Sequence, residues 1–157
     1  MSQFLGTHQT KLDAKNRTSV PAAFRAALRN GDAAAPAALV LRPSHQHACI
    51  EAWPAATFEA LAAPLDQLDM FGDEHDDLST ALFADAFQME ADKDGRIILP
   101  EMLVQHAGLS ETIVFLGKGR MFHIWEPEAA RRYTTEARER ARRLTIPGRP
   151  VAPKVVN

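Results

Sequence analysis

Residues 12–21 read Leu12-Asp13-Ala14-Lys15-Asn16-Arg17-Thr18-Ser19-Val20-Pro21, and residues 91–100 read Ala91-Asp92-Lys93-Asp94-Gly95-Arg96-Ile97-Ile98-Leu99-Pro100. Both stretches follow the pattern Asp-x-x-turn former-Arg-x-x-apolar-Pro, so the chain carries one motif twice. A duplicated unit usually means that one copy cannot bury its apolar face without the other. We therefore expect two intertwined halves within the 157 residues, and any surface built by one motif is presented twice.

Each motif has the composition of a tight turn between two short strands. Asn16 tolerates the positive φ that its counterpart Gly95 favours, and aspartates start both turns. Alternating residues precede each turn, weakly before the first and more clearly before the second, and apolar or β-branched residues follow it, which is typical of paired strands. We predict that Asp13, Asn16, Asp92 and Gly95 structure the two turns.

A helix and a second pair of strands follow each motif. Pro21 and Pro100 suit the first helical position, because the N–H that proline lacks has no partner there. Helices are predicted over 22–29 and 101–107, the first ended by Asn30-Gly31 and the second by Gly108. The later strands are predicted over 39–41, 49–53, 113–116 and 121–125. Each half therefore reads strand-strand-helix-strand-strand, and the fold class is α+β and rich in strand.

The pattern divides the chain into five segments. The first unit is expected over residues 4–54 and the second over 87–127. Between them, residues 55–86 form a helical connector, with a helix over 57–68, an acidic loop over 69–77 and a further helix over 78–87. Residues 128–145 are rich in Ala, Glu and Arg, which favours a C-terminal helix. Residues 146–157 contain Pro147, Pro150 and Pro153 and are expected to be disordered.

The net charge of −2 hides an uneven distribution. Residues 1–31 hold five basic residues against one acidic residue, whereas residues 32–90 hold eleven acidic residues against one basic residue. Residues 128–157 are basic again, with eight bases and three acids. Because salt confines each patch to a Debye length of about 8–10 Å, the basic first unit can attract a polyanion although the whole chain is acidic.

The cysteine count and the hydropathy point to one compartment. Cys49 is the single cysteine, which excludes an intrachain disulfide and indicates a reducing environment. The first residues have no signal-peptide pattern, and no run approaches the roughly 20 apolar residues of a membrane span. We expect a cytoplasmic protein without membrane association.

The turns themselves suggest a nucleic-acid interface. Arg17 follows the first turn beside Lys15, and a two-stranded ribbon fits the major groove, where arginine reaches guanine or clasps a phosphate. Arg25 and Arg29 share a helix face and extend the cationic track. A local pair of Asp13 and Arg17 that only stiffens the turn is the alternative for one copy. Two copies of the motif, each with a downstream proline and helix, favour a role in nucleic-acid recognition. The two roles are compatible, because the pair of Asp13 and Arg17 can also position the arginine.

Other chemistries have weaker support. His45, His47 and Cys49 alternate along a predicted strand, but a fourth metal ligand is missing. The acidic loop lacks the spacing and glycine of a calcium loop, and Gly117-Lys118-Gly119 lacks the remaining residues of a phosphate loop. No serine or cysteine has the context of a nucleophile. We therefore expect no catalytic site, cofactor, metal or small-molecule substrate.

Two blocks in the same order resemble the bacterial MraZ transcriptional regulators. The first is Phe4-Leu5-Gly6 followed by residues 12–17, Pro21 and Arg25; the second is residues 92–100 followed by Ala107-Gly108-Leu109 and Phe122-His123-Ile124-Trp125. The resemblance covers roughly residues 4–145, and Asn16 replaces the usual glycine. It implies two tandem AbrB/SpoVT-type swapped-hairpin domains that intertwine as a barrel, each followed by a helix.

The resemblance also implies a function. Members of that family form ring-like homo-oligomers, associate with the nucleoid and bind direct repeats upstream of the division and cell-wall gene cluster that includes their own gene. Their DNA contacts centre on the Asp-x-x-x-Arg loop, which implies Lys15, Arg17, Arg25, Lys93 and Arg96 here. We predict that Lys11 also binds DNA. We expect a double-stranded DNA-binding regulator that acts as a repressor. The alternatives are an antitoxin-like protein that neutralises a toxin, and a metal-dependent hydrolase using His45, His47 and Cys49.

Overall fold

A computed structural model describes residues 3–148 of the chain. The strands are β1 Thr7–Lys11, β2 Arg17–Ser19, β3 Ala38–Pro43, β4 Ile50–Pro54, β5 Phe87–Glu90, β6 Arg96–Ile98, β7 Thr112–Gly117 and β8 Phe122–Trp125. The helices are α1 Ala22–Leu28, α2 Ala55–Glu59, α3 Ala62–Leu65, α4 Asp73–Ser79, α5 Glu101–His106 and α6 Pro127–Ala141, and a π-helical turn spans Thr80–Ala84. Among residues 3–148, no helix has the length and apolar character needed to cross a membrane.

The two halves of the chain exchange strands. One six-stranded antiparallel sheet has the order β1-β7-β8-β4-β3-β5, and a second sheet consists of β2 and β6 alone. Strand β1 of the first half therefore pairs with β7 of the second half, and β5 of the second half pairs with β3 of the first half. The predicted strand-rich α+β class with two tandem units is confirmed, because each half completes the sheet of the other.

The larger apolar core lies between the halves. The rings of Phe24 and Phe122 have centroids 4.9 Å apart, and those of Phe4 and Phe24 lie 5.4 Å apart at nearly right angles. Phe24 comes from α1, whereas Phe122 comes from β8, and both are fully buried. Leu103 of α5 is buried in the same cluster. Burial of apolar area thus stabilises the exchange itself, because neither half encloses these rings alone.

A smaller apolar cluster fixes α6 against β7 and β8. Tyr133 stacks on Trp125 with ring centroids 4.5 Å apart, and Cys49 lies in the same cluster. The helix begins at Pro127, and the Glu126 carboxylate caps it by accepting a hydrogen bond from the Ala129 N–H at 2.8 Å. The helix ends earlier than the predicted residue 145. Residues 149–157 of the predicted disordered tail lie outside the described residues.

A buried ion pair connects the sheet to the connector. Arg42 on β3 is 1% exposed, and its Nη1 donates to Glu51 Oε1 at 2.5 Å. Arg42 Nη2 donates to the carbonyl of Ala81 in the π-helical turn at 2.9 Å, and Trp53 Nε1 donates to Glu51 Oε1 at 3.1 Å. The bond to Ala81 tethers the connector to β3, and the other two join side chains of β3 and β4.

The connector differs from the prediction. The expected helix over 57–68 is divided into α2 and α3, because Pro64 has no N–H for the bond that a continuous helix needs there. The expected acidic loop over 69–77 contains α4, whose first turn holds Asp73, Glu74 and Asp76. Carboxylates in a first turn are favoured by the helix dipole, so the charge run supports a helix instead of excluding one. The expected helix over 78–87 becomes the end of α4, the π-helical turn and the start of β5.

Candidate nucleic-acid interface

The first motif forms a tight loop organised by one carboxylate. Asp13 Oδ1 accepts hydrogen bonds from the N–H groups of Lys15 and Arg17, both at 2.9 Å. Asp13 Oδ2 accepts from Arg17 Nε at 2.7 Å, so the side chain of the arginine is held as well as its backbone. The pKa of Asp13 is lowered most by the hydrogen bond from the Arg17 N–H and next by the hydrogen bond from the Arg17 guanidinium. The carboxylate is therefore ionised near neutral pH and orients the arginine.

The second motif repeats the backbone of the loop with looser side chains. Asp92 Oδ1 accepts from the N–H groups of Asp94 at 2.9 Å and Arg96 at 2.8 Å, and the bond from Arg96 chiefly lowers the pKa of Asp92. The Arg96 Nε lies 3.8 Å from Asp92 Oδ2, and its Nη2 lies 3.4 Å from Asp94 Oδ2. Asp94 stands where the first loop has Lys15, so the second loop is less cationic.

Strands β2 and β6 bring the two arginines onto one surface. In their register Arg17 lies opposite Ile98, and Ser19 lies opposite Arg96. These four residues are exposed, whereas Thr18 and Ile97 between them are buried. Because successive strand residues point to opposite faces, all four share the outer face of the pair. We call this face, defined by Arg17, Ser19, Arg96 and Ile98, the arginine ribbon.

The lysines predicted to bind DNA surround this ribbon. Lys15 and Lys93 are exposed within the two loops, and Lys11 is exposed at the end of β1, where it lines a groove together with Arg17 and Arg96. The side chains of Arg17 and Arg96 are 46% and 52% exposed. Both guanidinium groups therefore remain accessible from solvent while their aspartates hold them.

Arg25 lies elsewhere: it is half-buried against the second loop. Its Nη1 donates to the carbonyl of Asp94 at 3.2 Å and to that of Val20 at 3.3 Å. A Cβ atom on Gly95 would lie 1.8 Å from that Nη1, so the glycine makes room for the guanidinium. The position of Arg25 depends on the strand exchange, which helix periodicity alone does not reveal.

A residue of the second half supports the first loop in turn. Asn16, with a φ of +61°, donates from Nδ2 to Glu101 Oε2 at 2.7 Å. Glu101 is not among the site residues predicted from the sequence. A signal existed, because Asn16 and Glu101 stand where the other copy of the unit has Gly95 and Ala22, and two such departures in one pair of motifs suggest a contact.

The residues considered for metal binding, His45, His47 and Cys49, are not arranged as a metal site. Cys49 is fully buried, and desolvation raises the pKa of its thiol to about 12. The ring of His47 packs edge-on against Tyr133, with centroids 4.9 Å apart. Within the described range 3–148, no three His, Cys, Asp or Glu side chains are grouped so that they could hold a metal ion.

Comparison with known proteins gives one consistent family. The family model described as "MraZ protein, putative antitoxin-like" matches residues 3–80 and 82–148. A protein of Gluconacetobacter diazotrophicus named "Transcriptional regulator MraZ" is 60% identical over 147 residues, which cover 94% of this chain and 93% of that protein. A protein of the same name from Gluconobacter oxydans is 51% identical over 152 residues, covering 97% and 93%. That from Rickettsia canadensis is 37% identical over 152 residues, covering 93% and 97%.

Proposed function

The chain belongs to the MraZ family, and from that premise we propose that it is a transcriptional regulator that binds double-stranded DNA through the arginine ribbon. The observation that carries this proposal is the position of Arg17 and Arg96 on one outer face, each held by an aspartate four residues before it. The role is non-enzymatic, as it is for the relatives with the regulator name.

The ribbon fits the geometry of duplex DNA. A B-form major groove is about 12 Å wide and admits a two-stranded β-ribbon. A guanidinium fork makes paired hydrogen bonds to guanine O6 and N7 or to a phosphate. Lys11, Lys15 and Lys93 border the same face and add contacts to phosphates. Arg25 acts in this scheme by supporting the second loop, since its guanidinium contacts backbone carbonyls.

One copy of the chain is too small a contact for tight regulation. It offers roughly three to five phosphate contacts, and binding through so few contacts weakens strongly at cellular salt. We propose that a homo-oligomer, in the form of a ring, places several arginine ribbons on direct repeats. Linked sites of matching spacing gain about 10²–10⁴ in avidity. Variants that break the oligomer should therefore lose as much affinity as variants of Arg17.

The target of this regulation is proposed from the family resemblance. We propose repression of a division and cell-wall gene cluster that includes the gene of the protein itself, in the cytoplasm and on the nucleoid. Footprinting on the region upstream of that gene at two salt concentrations tests the target. Protection of evenly spaced repeats supports it, and an unprotected upstream region rejects it.

The interface is tested with a double variant and a matched control. We expect Lys15→Ala combined with Arg17→Ala to weaken binding to the protected DNA at least tenfold and to reduce the salt dependence by about one to two phosphate contacts. Arg132→Ala removes an exposed arginine of α6 and should leave affinity unchanged. Equal affinity of the double variant and the wild type would reject the interface.

A second candidate function follows from the family description, which includes the word antitoxin. An antitoxin of this fold would bind a toxin as well as its own promoter. Purification of the chain from its native host separates the candidates. A stoichiometric small partner protein would support the antitoxin role, whereas DNA-bound homo-oligomer alone supports the regulator role.

A further inference from the structure

Two grooves border the arginine ribbon, and the internal duplication makes them counterparts. The first has a volume of about 600 Å³ and the second about 450 Å³, and Arg17 and Arg96 line both. The first groove is also lined by Thr10, Lys11 and Ser19, whereas the second has Met89, Glu90 and Ile98 at the equivalent places. The second groove therefore exposes more apolar surface than the first, although Glu90 and Asp92 also line it and the two backbones repeat.

Ile98 is an exposed apolar residue in the lining of the second groove. Its side chain is 62% exposed, and it lies directly opposite Arg17 in the β2–β6 register. Its neighbour Ile97 is 3% exposed and already supplies the contact of β6 with the core. A single exposed apolar residue is ordinary on most surfaces. An exposed isoleucine between two arginines that face one ligand gains from burial when that ligand binds.

We propose that Ile98 is a specificity-determining residue that contacts the C5-methyl group of a thymine in the major groove. This inference rests on the proposed DNA-binding function and specifies the base that Ile98 of the arginine ribbon recognises. Thymine alone among the four bases presents a methyl group in the major groove, and apolar side chains recognise it by contact. Arg17 and Arg96 hold the ribbon against the duplex on both sides of that contact.

The spacing along the strand places the thymine. Ile98 lies two residues after Arg96, which corresponds to about 7 Å in a strand. Base pairs rise about 3.4 Å each, so this separation matches about two base-pair steps for a ribbon aligned with the groove. The thymine should therefore lie about two base pairs from the group that Arg96 contacts. Ser19, the counterpart of Ile98, carries a hydroxyl that suits a polar base edge instead.

The experiment removes single methyl groups from the DNA. Duplexes that the full-length wild type enriches from a random library are resynthesised with each thymine replaced in turn by uracil. We expect one position at which the replacement weakens binding about fourfold, the equivalent of one buried methyl group. Ile98→Ala should bind the thymine and uracil duplexes equally. Leu144→Ala removes an exposed aliphatic side chain outside the ribbon, and as the matched control it should retain the fourfold preference.

A conservative variant separates the methyl contact from a change in the fold. Ile98→Val keeps the branched shape and should retain a preference for thymine, with thermal unfolding close to that of the wild type. The inference is overturned when wild type binds every uracil duplex as tightly as the parent, or when Ile98→Ala keeps the preference. In both results the protein still binds DNA, so the proposed function stands. A wild type that enriches no duplex contradicts the proposed function instead.

Discussion

The side-chain amide of Asn16 donates a hydrogen bond of 2.7 Å to Glu101 Oε2, although the two residues are separated by 85 positions. Asn16 belongs to the first loop, and Glu101 begins the helix of the second half. Arg25 of the first half supports the second loop in return, through the carbonyl of Asp94. Each loop is thus braced by a helix of the other half. The strand exchange therefore stabilises the fold and also positions the cationic loops.

The backbone of the first loop gives a stability prediction. Asn16 has a φ of +61°, a region that asparagine tolerates and alanine disfavours by about 1–2 kcal/mol. We expect Asn16→Ala to lower the free energy of unfolding by about 1–2 kcal/mol, whereas Asn16→Gly loses only the contact with Glu101. Urea unfolding of both variants measures the difference. Equal stability of the two would show that the left-handed conformation is not maintained.

The second loop predicts coupling between Gly95 and Arg25. Gly95→Ala places a methyl group where the Arg25 guanidinium lies, on a backbone with a φ of +79°. In a background of Arg25→Ala the steric part of the cost disappears and only the backbone strain remains. A double-mutant cycle by urea unfolding should therefore give a coupling free energy of about 1 kcal/mol. Strict additivity would place the arginine side chain elsewhere in solution.

Acid should destabilise the protein through His123. The pKa of His123 is lowered to about 4, chiefly by burial and next by the positive charge of Lys118. The carboxylate of Glu51 raises this pKa, and His47 lowers it slightly. Trp125 Nε1 donates to His123 Nδ1 at 3.0 Å, a bond that requires an unprotonated nitrogen.

The unfolded chain binds the proton of this histidine near pH 6.5, so stability is lost as the pH falls from about 6.5 towards 4. We expect a loss of about 2 kcal/mol between pH 7 and pH 5 that His123→Gln largely removes. Chemical unfolding at both pH values measures it. An undiminished loss in the variant would assign the acid sensitivity to other groups.

The buried ion pair predicts an asymmetry between single and double substitutions. Arg42→Met leaves the Glu51 carboxylate in the interior without its guanidinium partner, and should destabilise the fold by about 3–5 kcal/mol. Adding Glu51→Leu removes the unpaired charge and should recover much of that loss. Thermal unfolding of the two variants compares them. A double variant less stable than Arg42→Met would contradict the desolvation argument.

Much of the fold follows from the duplicated motif. The turn residues, the prolines and the alternation predicted the strand-strand-helix-strand-strand units, since these signals act over a few residues. The connector was harder, because a run of acidic residues is compatible with both a loop and the first turn of a helix. The carboxylates of α4 indicate a helix only when their place in its first turn is known. Pro64 likewise predicts a break between helices only when its position in the turn is known.

The arrangement of the interface follows from the sequence less completely than the fold does. The motif indicated Arg17 and Arg96, but their position on one face depends on the pairing of β2 with β6. Helix periodicity placed Arg25 beside Arg29 on a cationic track, whereas the structure places it against Asp94 in the other half. Contacts of this kind connect residues that are distant in sequence, so local patterns carry little information about them.

The most direct measurement is the affinity of Arg17→Ala, Arg96→Ala and the double variant for operator DNA across a range of salt concentrations. Each single substitution should cost about 1–3 kcal/mol, and the double variant should lose the most affinity and show the shallowest salt dependence. Folding of each variant is checked by thermal unfolding, and Arg132→Ala serves as the control. A folded double variant that binds the operator as tightly as the wild type, with the same salt dependence, would contradict the role of the arginine ribbon.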